Sequence, residues 1–255
     1  MLKEITLDEK YLITDGGTSD GTQIKYFKRG KWYKQDRWGG EGEAEELASE
    51  LLKRSTLRPE DFVNYSRVRI NGIDGCVSDN FLAKNEEFIT FYRLYLNTTG
   101  NDLSAVTARM DYDDAIDYVI NYIYTIAGVD ISSYLADIFA LDELILNEDR
   151  HFNNIGLIYN GECFRPAPIF DNGKSFFVGN KSFDPCADFS SNRKKAYARA
   201  FSGSFALNRK YLADKATVEF DFPAMLEFLT ENAAGYSERA VAALTEQIKR
   251  LTAQT

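Results

Sequence analysis

The sequence predicts an α+β protein built in two parts, strand-rich over residues 1–85 and mainly helical over residues 86–255. Three observations lead there. Before residue 85, short runs such as Asp61–Ile70 alternate apolar and polar residues, the mark of a half-buried strand. After residue 86, apolar residues recur with a helical period, as in Ile116, Val119, Ile120 and Ile123. Inside this helical part, Asn160-Gly161 separates two strand-like runs, Ile155–Tyr159 and Cys163–Ile169. That dipeptide between apolar runs is the strongest short-range hairpin signal.

Taken in order, Asp15–Gln23 is rich in Gly, Ser, Thr and Asp and reads as a turn-rich loop. Gln23–Phe27 and Lys31–Gln35 read as strands around Lys28-Arg29-Gly30. Alternation puts Lys25 and Phe27 on one face, and Trp32 and Lys34 on another. Gly42–Arg54 reads as a helix with Leu47, Leu51 and Leu52 inward and Glu43, Glu45, Glu46 and Glu50 mostly outward. Asn71-Gly72 and Asp74-Gly75 mark a turn after the Asp61–Ile70 strand, and Cys76–Leu82 follows as a strand or connector. Phe88–Tyr95, Tyr112–Ala127 and Ile131–Ile145 read as helices; Leu135, Ile138, Leu141 and Ile145 form one core stripe. Beyond Phe177 the basic run Arg193–Arg199 predicts a surface helix. Phe222–Asn232 and Ser237–Ala253 are amphipathic helices that close the second part.

Composition removes several function classes. A net charge of −9 argues against nucleic-acid binding through phosphates as the main activity, since such proteins usually show a basic face. Local basic clusters, Lys25–Arg37 and Arg193–Lys210, still suit a nucleotide or a docking role. No apolar run approaches the roughly 18 residues of a membrane-spanning helix. The start, MLKEITLDEKYL, lacks the apolar segment of a secretory signal. Three scattered cysteines, Cys76, Cys163 and Cys186, fit neither a disulfide framework nor a zinc site. A reducing, cytoplasmic setting is the expectation.

The chemistry is concentrated between Leu141 and Phe177. Asn147, Asp149, Arg150, His151 and Asn154 form a polar knot directly after a helical pattern, and Asp171-Asn172-Gly173 follows the hairpin signal. The hairpin would bring the two clusters together, and converging carboxylate and amide oxygens suit Mg²⁺. The string D-E-L-I-L-N-E-D-R-H-F-N-N-I-G, followed by A-P-I-F-D-N-G-K-S, resembles the catalytic segment of the HipA-like serine/threonine kinases. The resemblance implies a two-lobed, protein-kinase-like fold with a β-rich first lobe, ATP and Mg²⁺ as cofactors, and a protein substrate of unknown identity.

Carried over, Asp149 accepts the proton of the substrate hydroxyl, Asn154 and Asp171 hold the metal, and Asn147, Arg150 and His151 brace the loop. Asp142 is placed to hydrogen-bond that loop. The five-residue step from Asp149 to Asn154 is that of the protein-kinase catalytic loop. The family's G-x-Q-x-K pattern stands here as Gly21-Thr22-Gln23-Ile24-Lys25, over the triphosphate, and Lys34 is the lysine that contacts the α/β-phosphates. An acidic partner for Lys34 belongs on the following helix; spacing matches Glu41 best, with Glu45 the alternative. Thr18 and Ser19 are candidates for autophosphorylation in the Gly-rich loop. Asp171-Asn172-Gly173 stands where ordinary protein kinases have Asp-Phe-Gly, and no ordinary activation segment follows.

The chain resembles short family members without the extra N-terminal subdomain of HipA itself, which leaves an antitoxin-type partner open. Two rival readings use the same residues: a small-molecule phosphotransferase, with a cationic acceptor kept in view by the −9 charge, and a nucleotide-binding scaffold without turnover.

Overall fold

The computed structural model describes residues 2–14 and 23–253. Five strands form the first sheet: β1 (Lys3–Ile5), β2 (Lys25–Lys28), β3 (Lys31–Gln35), β4 (Tyr65–Ile70) and β5 (Ile73–Asp79), in the order β1-β4-β5-β3-β2. β1 runs parallel to β4; the other neighbours are antiparallel. Two tight hairpins use left-handed pairs, Arg29-Gly30 (φ 53 and 75) and Asn71-Gly72 (φ 50 and 82), whose twist matches that of the flanking strands.

The β2–β3 register corrects the expected faces. Lys25 lies opposite Lys34 and Phe27 opposite Trp32, so all four side chains share one face. Directly opposed residues in an antiparallel pair point the same way, and the Phe27 and Trp32 rings lie 4.8 Å apart. Asp74-Gly75 is also not a turn: both residues lie inside β5. Gly75 is there for a close approach. A Cβ on Gly42, in the first turn of helix α1 (Glu41–Leu52), would lie 2.5 Å from the Gly75 carbonyl carbon and oxygen.

Helix α1 buries Leu47, Leu51 and Leu52 against the second lobe's core, as expected. Its glutamates do not all face outward: Glu41 and Glu45 are both buried. A second, three-stranded sheet, β6-β7-β8, comprises β6 (Glu87–Thr90), β7 (Gly156–Tyr159) and β8 (Phe164–Pro166). Within β6, Phe88–Thr90 was expected as part of a helix over Phe88–Tyr95. A short apolar run cannot distinguish the two periods, and pairing with β7 decides for strand. Thr90 ends the strand and caps helix α2 (Phe91–Thr99) by accepting from the Arg93 N–H at 3.1 Å. The β7–β8 hairpin forms as expected, with Asn160 Oδ1 accepting from the N–H groups of Glu162 and Cys163.

Seven further helices build the second lobe: α3 (Leu103–Thr107), α4 (Tyr112–Ala127), α5 (Ser132–Ile145), α6 (Phe189–Arg193), α7 (Phe205–Tyr211), α8 (Phe222–Asn232) and α9 (Glu238–Thr252). Their core joins Ile116, Val119 and Ile123 of α4 to Leu135, Ile138 and Leu141 of α5 and to Leu244 and Ile248 of α9. The basic run is not a surface helix, because α6 ends at Arg193 and the residues up to Arg199 continue without helical structure. Among the described residues, no helix is long and apolar enough to cross a membrane.

Candidate active site

Helix α5 delivers Asp142 to the floor of the site. There it meets Arg150, whose Nε lies 3.0 Å from Oδ2 and whose Nη2 lies 3.0 Å from Oδ1. Arg150 is completely buried, and a buried charge persists only when paired and hydrogen-bonded. It is both: Nη1 donates to the carbonyls of Phe170 (2.5 Å) and Asn154 (3.3 Å), and Nη2 donates to Asn172 Oδ1 (2.6 Å). One guanidinium thus joins α5, the 147–154 loop and the strand exit at 170–172. Asn147 works beside it, donating to Asp142 Oδ1 and accepting from the Asp149 N–H.

The loop so held carries Asp149 and Asn154. Asn154 Nδ2 donates to the Asp149 carbonyl at 2.9 Å. Its Oδ1 is buried with no partner among the described residues. Burial pushes the Asp149 carboxyl above its ordinary value, and His151 and Arg199 pull it partway back. The braces are loose: His151 Nε2 is 3.9 Å and Arg199 Nη1 3.4 Å from the carboxylate. At 3.9 Å His151 is too far from the carboxylate for a hydrogen bond.

Across the cleft, Lys34 Nζ lies 2.9 Å from Glu45 Oε1 and 2.8 Å from Asp171 Oδ1, with Tyr65 Oη at 3.4 Å. Glu45, not Glu41, is therefore the acidic partner. Glu41 Oε1 is occupied by the N–H groups of Arg37 and Trp38, at 3.1 and 2.8 Å, which it caps just before the helix. One turn further, Glu45 faces the sheet. Its second oxygen accepts from the Asn172 N–H at 2.8 Å. Gly173 packs against Glu41, where a Cβ would lie 3.3 Å from the Glu41 Cβ.

Asp171 has a left-handed backbone (φ 60), an uncommon conformation for a residue with a side chain and one that clusters at functional sites. Burial alone would raise its carboxyl; Lys34 and then Lys25 outweigh burial and hold it well below the usual carboxylate range. Lys34, desolvated but faced by Asp171 and Glu45, has its ammonium form strengthened. Lys25, also buried, has its pKa lowered by that burial.

Lys25, Lys34 and Asp171 stand at one end of a cleft of about 410 Å³. Its other walls are mainly apolar, with Ser78 and Asn80 among them: Phe81, Phe88 and Phe170 form an aromatic cluster with ring centres 5.4–6.1 Å apart. Sequence reasoning missed these three rings, and Glu45 was only its second choice. Gln23 is described and does not line the cleft. Gly21, Thr22, Thr18 and Ser19 lie outside the described residues. A larger cleft, about 980 Å³, adjoins the aromatic one through Val63, Asn80 and Phe81, and neither Lys34, Glu45, Asp149, Asn154 nor Asp171 lines it.

Among the described residues, no group of three His, Cys, Asp or Glu side chains could hold a metal. Asp171 and the unpartnered Asn154 Oδ1 nevertheless fit Mg²⁺, which typically binds through one or two carboxylates and completes its shell with water and phosphate oxygens.

No family model matches the chain, and no curated protein is similar enough in sequence to match it. Solved structures do match. The Helicobacter pylori proinflammatory kinase CtkA superposes with a TM-score of 0.60 at 16% identity, over 96% of this chain and 93% of that one. HipA from Shewanella oneidensis MR-1, solved with HipB and its operator DNA, gives a TM-score of 0.46 at 10% identity, over 97% of this chain and 65% of that one. The sheet-rich first lobe, the helical second lobe and the superposition on CtkA agree with one another: the chain has a two-lobed, kinase-like α+β fold, the fold expected from the resemblance to HipA-like kinases.

Proposed function

We propose that this protein is an ATP- and Mg²⁺-dependent phosphotransferase of the HipA-like type that transfers the γ-phosphate to a serine or threonine hydroxyl of a protein. The observation that carries the reading is the buried arrangement of Lys34 between Glu45 and Asp171. A lysine held charged at the end of an apolar cleft, beside a strongly acidic aspartate, suits a nucleotide with its base among aromatic rings and its phosphates on the ammonium.

Phosphoryl transfer demands positioning and neutralisation of charge more than covalent chemistry. Lys34 would hold the α/β-phosphates, with Lys25 as a second cation facing the same space. Asn154 Oδ1 and Asp171 would hold Mg²⁺, which when bound neutralises charge on the phosphate oxygens. Asp149 would orient the acceptor hydroxyl and take its proton. Its proton affinity, raised by burial, moves it toward the range where a general base works best. The same proposal has Thr18 or Ser19 accept phosphate within the chain. A phosphate there would repel the triphosphate and silence the site, and mass spectrometry after incubation with ATP and Mg²⁺ tests it.

The direct experiment is incubation with γ-labelled ATP and Mg²⁺ beside an Asp149→Ala variant, with a serine-containing protein mixture as acceptor. Label transferred by the wild type and lost in the variant is the expected result. Nucleotide binding without transfer would instead favour a scaffold.

A further inference from the structure

A third cleft, about 360 Å³, has Asp149 in its wall and shares no lining residue with the aromatic one. Lys174, Lys181, Lys195 and Arg199 line it, against Glu148 and Asp149 as the only carboxylates, in a chain whose net charge is −9. The local sign is thus opposite to that of the whole molecule. Resting on the kinase reading above, we infer that this cleft receives the acceptor, and that the acceptor is a protein segment carrying acidic side chains next to its serine or threonine.

The cations are held for the task. Glu148 is consumed internally: both its oxygens accept from Asn180 Nδ2, at 3.0 and 2.9 Å, and Oε1 also accepts from the Tyr197 N–H at 3.2 Å. It therefore fixes the 195–199 segment while its charge offsets only part of the cations around it. Arg199 lies over the Tyr197 ring, 5.5 Å from its centre, and donates to its hydroxyl at 3.2 Å. That contact leaves the guanidinium 3.4 Å from Asp149, at the edge of an ion pair. Lys174 rests over the Trp38 ring at 4.9 Å. Lys174, Lys181 and Lys195 have no carboxylate within 4.0 Å among the described residues, and Lys181 and Lys195 are exposed. Unpaired cations around a candidate base attract anionic partners and repel cationic ones. A cationic small-molecule acceptor is the worst fit to this surface. Trp38 and Tyr197, each about half exposed, add flat apolar faces at the rim, where peptide segments commonly pack.

The test is binding, which needs no turnover. Two fluorescent peptides of equal length, one with glutamates and one with lysines flanking a central serine, are titrated with the full chain and followed by anisotropy. Several solvent-exposed pairs together are worth about tenfold, so the glutamate peptide should bind about tenfold more tightly, less so at high salt. Lys181→Glu with Lys195→Glu should abolish or invert the preference, with circular dichroism verifying that the variant folds. Equal binding of the two peptides, tighter binding of the lysine peptide, or a preference that survives the double reversal would overturn the inference. Phosphate transfer is scored separately. Charge-selective binding without transfer supports this surface and counts against the kinase reading; transfer without charge selectivity does the reverse.

Discussion

Glu45 accepts a 2.8 Å hydrogen bond from the Asn172 N–H, 127 residues away in sequence, with the oxygen that Lys34 leaves free. The first lobe's helix and the segment bearing Asp171 are therefore fixed to each other through the same carboxylate that orients the lysine. Disturbing Glu45 disturbs three things at once: the charge on Lys34, its direction, and the position of Asp171.

Glu45→Gln should for that reason reduce turnover by about 100-fold, the scale of a misplacement near 1 Å at a phosphoryl-transfer site. Glu41→Gln should leave turnover within a few-fold and cost about 1 kcal/mol of stability, the worth of a cap. Steady-state phosphorylation and thermal melts on both variants separate the two. Equal losses of turnover would contradict the assignment of Glu45 as the partner.

Arg150→Ala leaves Asp142 as an uncompensated buried charge and strips donors from three further acceptors. The loss in unfolding free energy should be about 3–5 kcal/mol, read by urea denaturation. A loss below about 1 kcal/mol would mean that solvent reaches the pair.

Asp171 supplies a pH test of stability. Its carboxyl titrates lower in the folded than in the unfolded chain, so its contribution is fully present above the unfolded value, about 3.9, and is lost as pH falls through the lower folded value. Asp171→Asn should be destabilised near pH 7 on the order of 2 kcal/mol, with Lys25 and Lys34 left facing each other. The gap from the wild type should close on acidification below the ordinary carboxylate range. A gap independent of pH would refute the ion-pair account.

Asp149 behaves oppositely, because burial raises it. In the proposed role of base Asp149 must be ionised, so the acid limb of kcat should lie above the ordinary carboxylate range. Removing a nearby cation should push it higher still. In Arg199→Gln, kcat at saturating acceptor should fall off at a higher pH than in the wild type. A limb that stays fixed or moves down would detach this titration from Asp149.

Much of this was legible in the sequence where the determinants are local. The order Asp149, Asn154, Asp171 rests on a short loop, an Asn-Gly turn and an Asp-Asn-Gly exit, and turn chemistry is written in a few adjacent residues. Asp142 could be read the same way, one turn before the loop it supports. What escaped depends on distant partners. Choosing Glu45 over Glu41 requires knowing which helical face meets Lys34, and that face is set by packing across the sheet. The common face of Lys25 and Lys34 follows from register, which a one-residue change in the hairpin would reverse. Phe81, Phe88 and Phe170 look like any core aromatics until the fold leaves one side of them open.

The Gly42–Gly75 contact has a further consequence. Asp36 accepts from the N–H groups of Gly40 and Gly42, both at 2.7 Å, and the backbone of Gly75 lies against the same turn. The start of α1 is thus clamped to the sheet by the Asp36 carboxylate and by main chain packed directly on main chain. A helix anchored this way cannot serve as an outward-swinging regulatory arm, so inhibitors that work by wedging it away would find no room to act. Over evolutionary time each glycine is held for its own reason: alanine at 42 would meet the Gly75 main chain and force the helix off the strand, while alanine at 75 would meet the Lys34 carbonyl and force β5 off β3.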